Sequence, residues 1–108
     1  MGCAPSNLEE KNPSKSRGLS KEELEERNTD CIMYASFAAS NYQNQDWRSA
    51  VDNYKYMVDI GCSECGCLGE GRDAEDIFTY YGRSYIELNK LDSASYVFKQ
   101  GLKFLKDD

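Results

Sequence analysis

Residues 75–105 read EDIFTYYGRSYIELNKLDSASYVFKQGLKFL, and the spacing of small and aromatic residues in this stretch decides the fold. Phe78, Tyr81, Gly82 and Tyr85 fall at i, i+3, i+4 and i+7, which is one face of a helix. After Asn89-Lys90, Ala94, Phe98 and Gly101 mark a second helix in the same way. Small residues set among aromatics let a neighbouring helix come close, and a short turn forces the two to pack antiparallel. A weaker copy of the pattern lies upstream. Setting Ala50 on Ala94, a shift of 44 positions, places Tyr34 on Phe78, Phe37 on Tyr81, Ala38 on Gly82, Tyr54 on Phe98 and Met57 on Gly101.

Four helices follow from the apolar periodicity. Ser20-Lys-Glu-Glu23 fits a capping box, so a helix begins near Lys21. It either breaks at Asn28-Thr29-Asp30, where Thr29 or Asp30 would cap a new helix, or runs straight on. Between Cys31 and Gln43, Ile32, Tyr34, Ala35, Phe37, Ala38, Ala39 and Tyr42 leave almost no polar face, which predicts a largely buried helix. Asn44-Gln45-Asp46 is a turn, and Trp47, Ala50, Val51, Tyr54, Met57 and Val58 then carry an amphipathic helix that ends by Ile60-Gly61. Ile77 to Leu88 and Leu91 to Leu105 supply the third and fourth. No segment shows the alternation of a strand, so the chain is all-α.

The order of these residues resembles the tetratricopeptide repeat, a helical hairpin of about 34 residues. The match is good over residues 75–108 and partial over about 31–64. Departures are Asn41 where an aromatic is usual, Met57 and Gly101 where Ala is usual, and Cys62 and Lys106 in place of the terminating Pro. The resemblance implies two antiparallel hairpins forming a fragment of a right-handed α-solenoid. About ten extra residues separate the copies, as a Cys-rich insertion at 61–73. In that family the function is binding, on a concave face lined by first helices. Here that face would carry Ile32, Ala35, Ala39, Tyr42 and Gln43, then Asp76, Thr79, Arg83, Ile86 and Glu87. Where chaperone-binding members hold a Lys and an Asn to clamp a terminal carboxylate, this chain has Ala35 and Ala39. A protein or peptide ligand is therefore expected, with Arg83 the cation available to an anionic group. Two repeats are fewer than the roughly three that close a stacked core. The outer face of the last helix is thus expected to be covered by a homodimer or continued in a longer array.

Of the five cysteines, Cys62, Cys65 and Cys67 occupy the insertion and Cys31 opens the first repeat. Antiparallel pairing brings Cys31 to the end where the insertion begins, which gathers four thiols. Disulfides in an oxidising compartment, tetrahedral zinc and free thiols all remain open, and so do three pairings. A redox or metal module is the corresponding rival function, although no His or clear cation stands near to lower a thiol pKa.

Residues 1–19 hold both prolines among Ser, Asn, Lys and Glu, the composition of a flexible tether; the helical domain spans 20–108. Met1-Gly2-Cys3-Ala4-Pro5-Ser6 admits two lipid anchors. One is myristate on Gly2 with palmitate on Cys3, facing the cytosol. The other is the lipid-bearing Cys3 of a bacterial lipoprotein on the envelope side, which disulfide-ready cysteines favour. Such a lipoprotein would serve as a scaffold or as a structural envelope component cut from a longer array.

Formal charge is −6 and no His is present. That composition argues against nucleic acid as a partner and removes the commonest general base and nitrogen ligand. Catalysis and a cofactor are accordingly not expected. No apolar run reaches the roughly 18–20 residues of a membrane span, so contact with a membrane would come through a lipid anchor alone.

Overall fold

The computed structural model describes residues 18–64 and 73–106, and these are helical apart from turns. Helix α1 spans Lys21–Gln43, α2 Trp47–Asp59, α3 Asp73–Glu87 and α4 Leu91–Lys106, with a short 3-10 turn at Cys62–Glu64. Each helix packs on the next in chain order.

Helix α1 starts as a capping box: Ser20 Oγ accepts from Glu23 N–H at 3.1 Å, and Glu23 Oε1 accepts from Ser20 N–H at 2.9 Å. It does not break at Asn28-Thr29-Asp30. Thr29 Oγ1 donates to the Glu25 carbonyl at 3.0 Å, the back-bond of a Thr inside a helix, so its hydroxyl is not used as a cap.

The turns after α1 and α3 are one motif used twice. Asp46 N–H donates to Asn41 O at 2.8 Å and Gln45 N–H to Tyr42 O at 3.0 Å; Lys90 N–H donates to Tyr85 O at 2.9 Å and Asn89 N–H to Ile86 O at 2.8 Å. Both are Schellman closures, which require a left-handed residue past the helix end. Gln45 (φ 62°) and Asn89 (φ 64°) supply it, and they correspond under the 44-position shift. Asp46 then caps α2, accepting from Ser49 N–H at 3.3 Å.

Within each pair the helices run antiparallel. Asn53 Nδ2 donates to Asn41 Oδ1 at 2.7 Å near the turn, while Cys31 and Cys62 join at the other end. In the second pair Gly82 faces Phe98 and Gly101 faces Phe78. A Cβ built on Gly82 would lie 2.4 Å from the Phe98 ring, and one on Gly101 2.8 Å from Phe78 Cβ. Contacts so short do not occur, so a side chain at Gly101 would meet an atom fixed to the backbone of α3, and one at Gly82 would require the Phe98 ring to move.

The core runs along the chain of helices: Ala38, Ala50, Tyr54 and Met57 in the first pair, Ile77, Phe78, Tyr81 and Val97 in the second. Tyr54 stacks on Tyr81 with centroids 6.5 Å apart, joining the pairs across α2 and α3.

The first helix departs from expectation. Between Cys31 and Gln43 only Cys31 and Ala38 are buried, whereas Ile32, Met33 and Phe37 are exposed. Helix α1 stands at the end of the row, covered by α2 and touched by α3, and no described element lies over its outer side. An apolar sequence cannot by itself show on which sides neighbours exist.

Candidate functional site

Two regions collect the residues singled out from sequence: the face formed by α1 and α3, and the cysteine end of the first pair. On the face, Ile32, Ala39 and Gln43 of α1 and Asp76, Arg83, Ile86 and Glu87 of α3 are exposed. Ala35, Tyr42 and Thr79 are half-buried. The 44-position shift sets Ile32 on Asp76, Ala39 on Arg83 and Gln43 on Glu87, so these residues occupy matching sectors of the two helices.

Tyr42 has a packing role. Its ring meets Trp47 edge-on at 5.1 Å and Tyr80 of α3 at 4.8 Å. That contact bridges the two first helices and holds their exposed sectors side by side. The resulting surface is chemically mixed, with two isoleucines, Gln43, two carboxylates and the Arg83 guanidinium. No nucleophile paired with a base lies among these residues.

At the cysteine end, the sulfurs of Cys31 and Cys62 lie 2.04 Å apart, a disulfide, with Cα atoms at 5.6 Å and both residues 0 % exposed. Cys65 and Cys67 lie outside the described residues, as do Gly2 and Cys3. Among the described residues no cluster of three His, Cys, Asp or Glu could hold a metal.

Arg27 was not foreseen. Although charged, it is 7 % exposed, one helical turn before Cys31. Its guanidinium donates to the Ile60 carbonyl at 3.4 Å, to the Gly61 carbonyl at 3.3 Å and to Asn28 Oδ1 at 3.1 Å. Those carbonyls follow the C-terminal end of α2, where the helix dipole is negative, and the Gly61 carbonyl also accepts from Glu64 N–H at 3.0 Å. Arg27 and Cys31 therefore grip the same helix end, one by charge and one covalently. The i, i+4 spacing of the two is visible in sequence; the carbonyl partners, more than thirty residues away, are not. Beside this clamp an open groove of about 390 Å³ is lined by Leu19, Glu23, Glu26, Asp30, Asp59 and Ile60.

The tyrosines at the seam stay protonated. Burial, aided by the negative charge that Tyr80, Tyr42 and Asp76 can contribute, pushes Tyr54 up to about 12. Burial first, and Tyr85 second, raise Tyr81 further. Neither supplies a phenolate near neutrality. Ser84, fully buried, donates to the Tyr80 carbonyl at 2.8 Å and so has its partner within the helix.

The fold and these two regions define an all-helical protein of two antiparallel pairs with a stapled first pair. Comparison with family models, with curated proteins and with solved structures finds no match for the chain. The resemblance to the tetratricopeptide repeat thus rests on the residues themselves. Among the described residues, no helix is long and apolar enough to cross a membrane.

Proposed function

We propose that the protein is a non-catalytic scaffold of tetratricopeptide type that binds a protein or peptide on the face shared by α1 and α3. One observation carries this reading: the two helices present corresponding exposed sectors, and the Tyr42–Tyr80 contact keeps them adjacent. Repeat proteins bind on surfaces of this kind. Ile32 and Ile86 are the apolar anchors, and Arg83 pairs with a carboxylate of the ligand. Asp76 and Glu87 disfavour strongly acidic partners, because like charges brought together weaken association.

The burial of both bridged sulfurs supports a structural role for the Cys31–Cys62 pair over a redox module, since exchange needs an approaching thiolate. A disulfide at this position also favours an oxidising compartment, and with it the envelope reading in which Cys3 carries the lipid. The lipid would place the face near a membrane surface.

A displayed peptide library selected on the full chain tests the binding reading. Selected peptides should lose at least about tenfold in affinity for the Ile32→Asp and Ile86→Asp chains, as expected for central anchors worth more than about 1.4 kcal/mol. Amide shifts on binding should concentrate on α1 and α3. Peptides that bind these variants undiminished and perturb α2 or α4 instead would overturn it.

A further inference from the structure

The seam between α2 and α3 has two halves, and each half recurs, uncovered, at one end of the molecule. On the α3 side, Ile77 and Tyr81 are 2 % and 7 % exposed, Tyr81 lying on Tyr54 of α2. Their counterparts in α1, set back by 44 positions, are Met33 and Phe37, which are 43 % and 47 % exposed. On the α2 side, the half-buried Trp47 and Val58 fall seven residues before and four after Tyr54, on the helical stripe whose Tyr54 meets α3. Their counterparts in α4 are Leu91 and Leu102, at 59 % and 64 %.

Large apolar residues therefore stand exposed on both outer helices of the described row. Isolated exposed apolar residues are ordinary; two sets placed as the two halves of an existing joint are not. We infer that a second copy of this chain covers them head to tail: the α4 face of one copy takes the α1 face of the next, reproducing the α2–α3 seam between molecules. Phe98 corresponds to Tyr54 and Phe37 to Tyr81, so Phe98 would meet Phe37 of the next copy as Tyr54 meets Tyr81 within the chain.

The joint is heterologous, because two different surfaces meet. Such contacts do not stop at two copies but continue into a row, or into a ring if the rotation closes. It is weaker than the internal seam, since Ser95 stands where α2 has the buried Val51, and it lacks the covalent connection between α2 and α3. The inference rests on the correspondence between the pairs and is independent of any ligand on the α1–α3 face.

Sedimentation of the full chain from about 1 μM to about 1 mM, the range of weak specific association, tests it. The average mass should climb past that of two copies without levelling at a dimer. Phe37→Glu and Leu102→Glu, both at exposed positions, should each keep the helical circular dichroism and each remain monomeric alone. Mixed in equal amounts they should form one-to-one dimers, since each retains the end that the other has lost. A wild-type chain that stays monomeric throughout overturns the inference. So does a Phe37→Glu chain that still dimerises while Leu102→Glu does not, which would mean that α4 pairs with itself.

Discussion

The two helix pairs share turns, register and direction, yet they are held together by different means. The second pair closes on itself through glycines: Gly82 and Gly101 admit Phe98 and Phe78 into space that any side chain would fill. At the corresponding places the first pair has Ala38 and Met57, so its helices cannot approach in that way. It is fastened instead at the far end from its turn, by the Cys31–Cys62 disulfide and by Arg27 on the carbonyls of Ile60 and Gly61. Packing and cross-linking are here alternative solutions to one problem, that a small domain buries little area per residue. A fastening at the end tolerates looser packing along the helices.

The sharpest break of the comparison is to remove the staple. Cys31→Ser, or reduction, frees the unfolded chain from a loop closed over a sequence separation of 31, and should cost about 3–4 kcal/mol. Hydrogen exchange should then accelerate across α1 and α2 well before α3 and α4. Equal acceleration everywhere would mean that the pairs unfold as one unit and that the contrast has no energetic content.

A smaller effect should follow in the other pair. Gly101→Ala pushes a methyl against Phe78 Cβ, which no ring rotation can relieve because that atom is fixed to the backbone of a buried residue. After the helical preference of Ala over Gly is set against the overpacking, a net loss of about 1–2 kcal/mol is expected in denaturant melts. At Gly82 the obstacle is the outer edge of the half-buried Phe98 ring, which can swing, so Gly82→Ala should cost less.

The smallest effect concerns the seam, and it is confined to alkali. The folded Tyr54 phenol ionises near 12, whereas an unfolded tyrosine does so near its ordinary value of about 10. Above that lower value the unfolded chain loses protons that the folded one keeps. Stability should hold up to about pH 10 and decline through about pH 12. Tyr54→Phe should flatten part of that decline while leaving neutral stability nearly unchanged, as followed by melts at stepped pH. An unaltered alkaline decline would place the responsible groups elsewhere.

Much of this was legible in the sequence because it depends on neighbours in the chain. The helices, the capping box at Ser20 and the shift that sets Gln45 on Asn89 are all local or repeated signals. The approach of Cys31 to the insertion followed from antiparallel pairing, but the choice of Cys62 depends on how the chain turns after Gly61, a matter of backbone geometry. The role of Arg27 was hidden for a related reason, since backbone carbonyls leave no mark in the residue code. The exposure of Ile32 and Phe37 is not legible there, because apolar character reports that a side is suited to burial, and not that something buries it.

The disulfide has one more consequence, which is mechanical. Residues 31–62 form a closed covalent ring, and the chain enters and leaves it at the two bridged cysteines. A pull between the start of α1 and the second pair passes along the backbone to Cys31 and from there straight to Cys62 through the sulfur bond. The turn at Asn44–Asp46 and the whole of α2 lie off that covalent path, and α2 meets the second pair through side-chain contacts such as Tyr54 on Tyr81. Tension applied across the two cysteines would therefore leave the closed ring of residues 31–62 covalently unstretched.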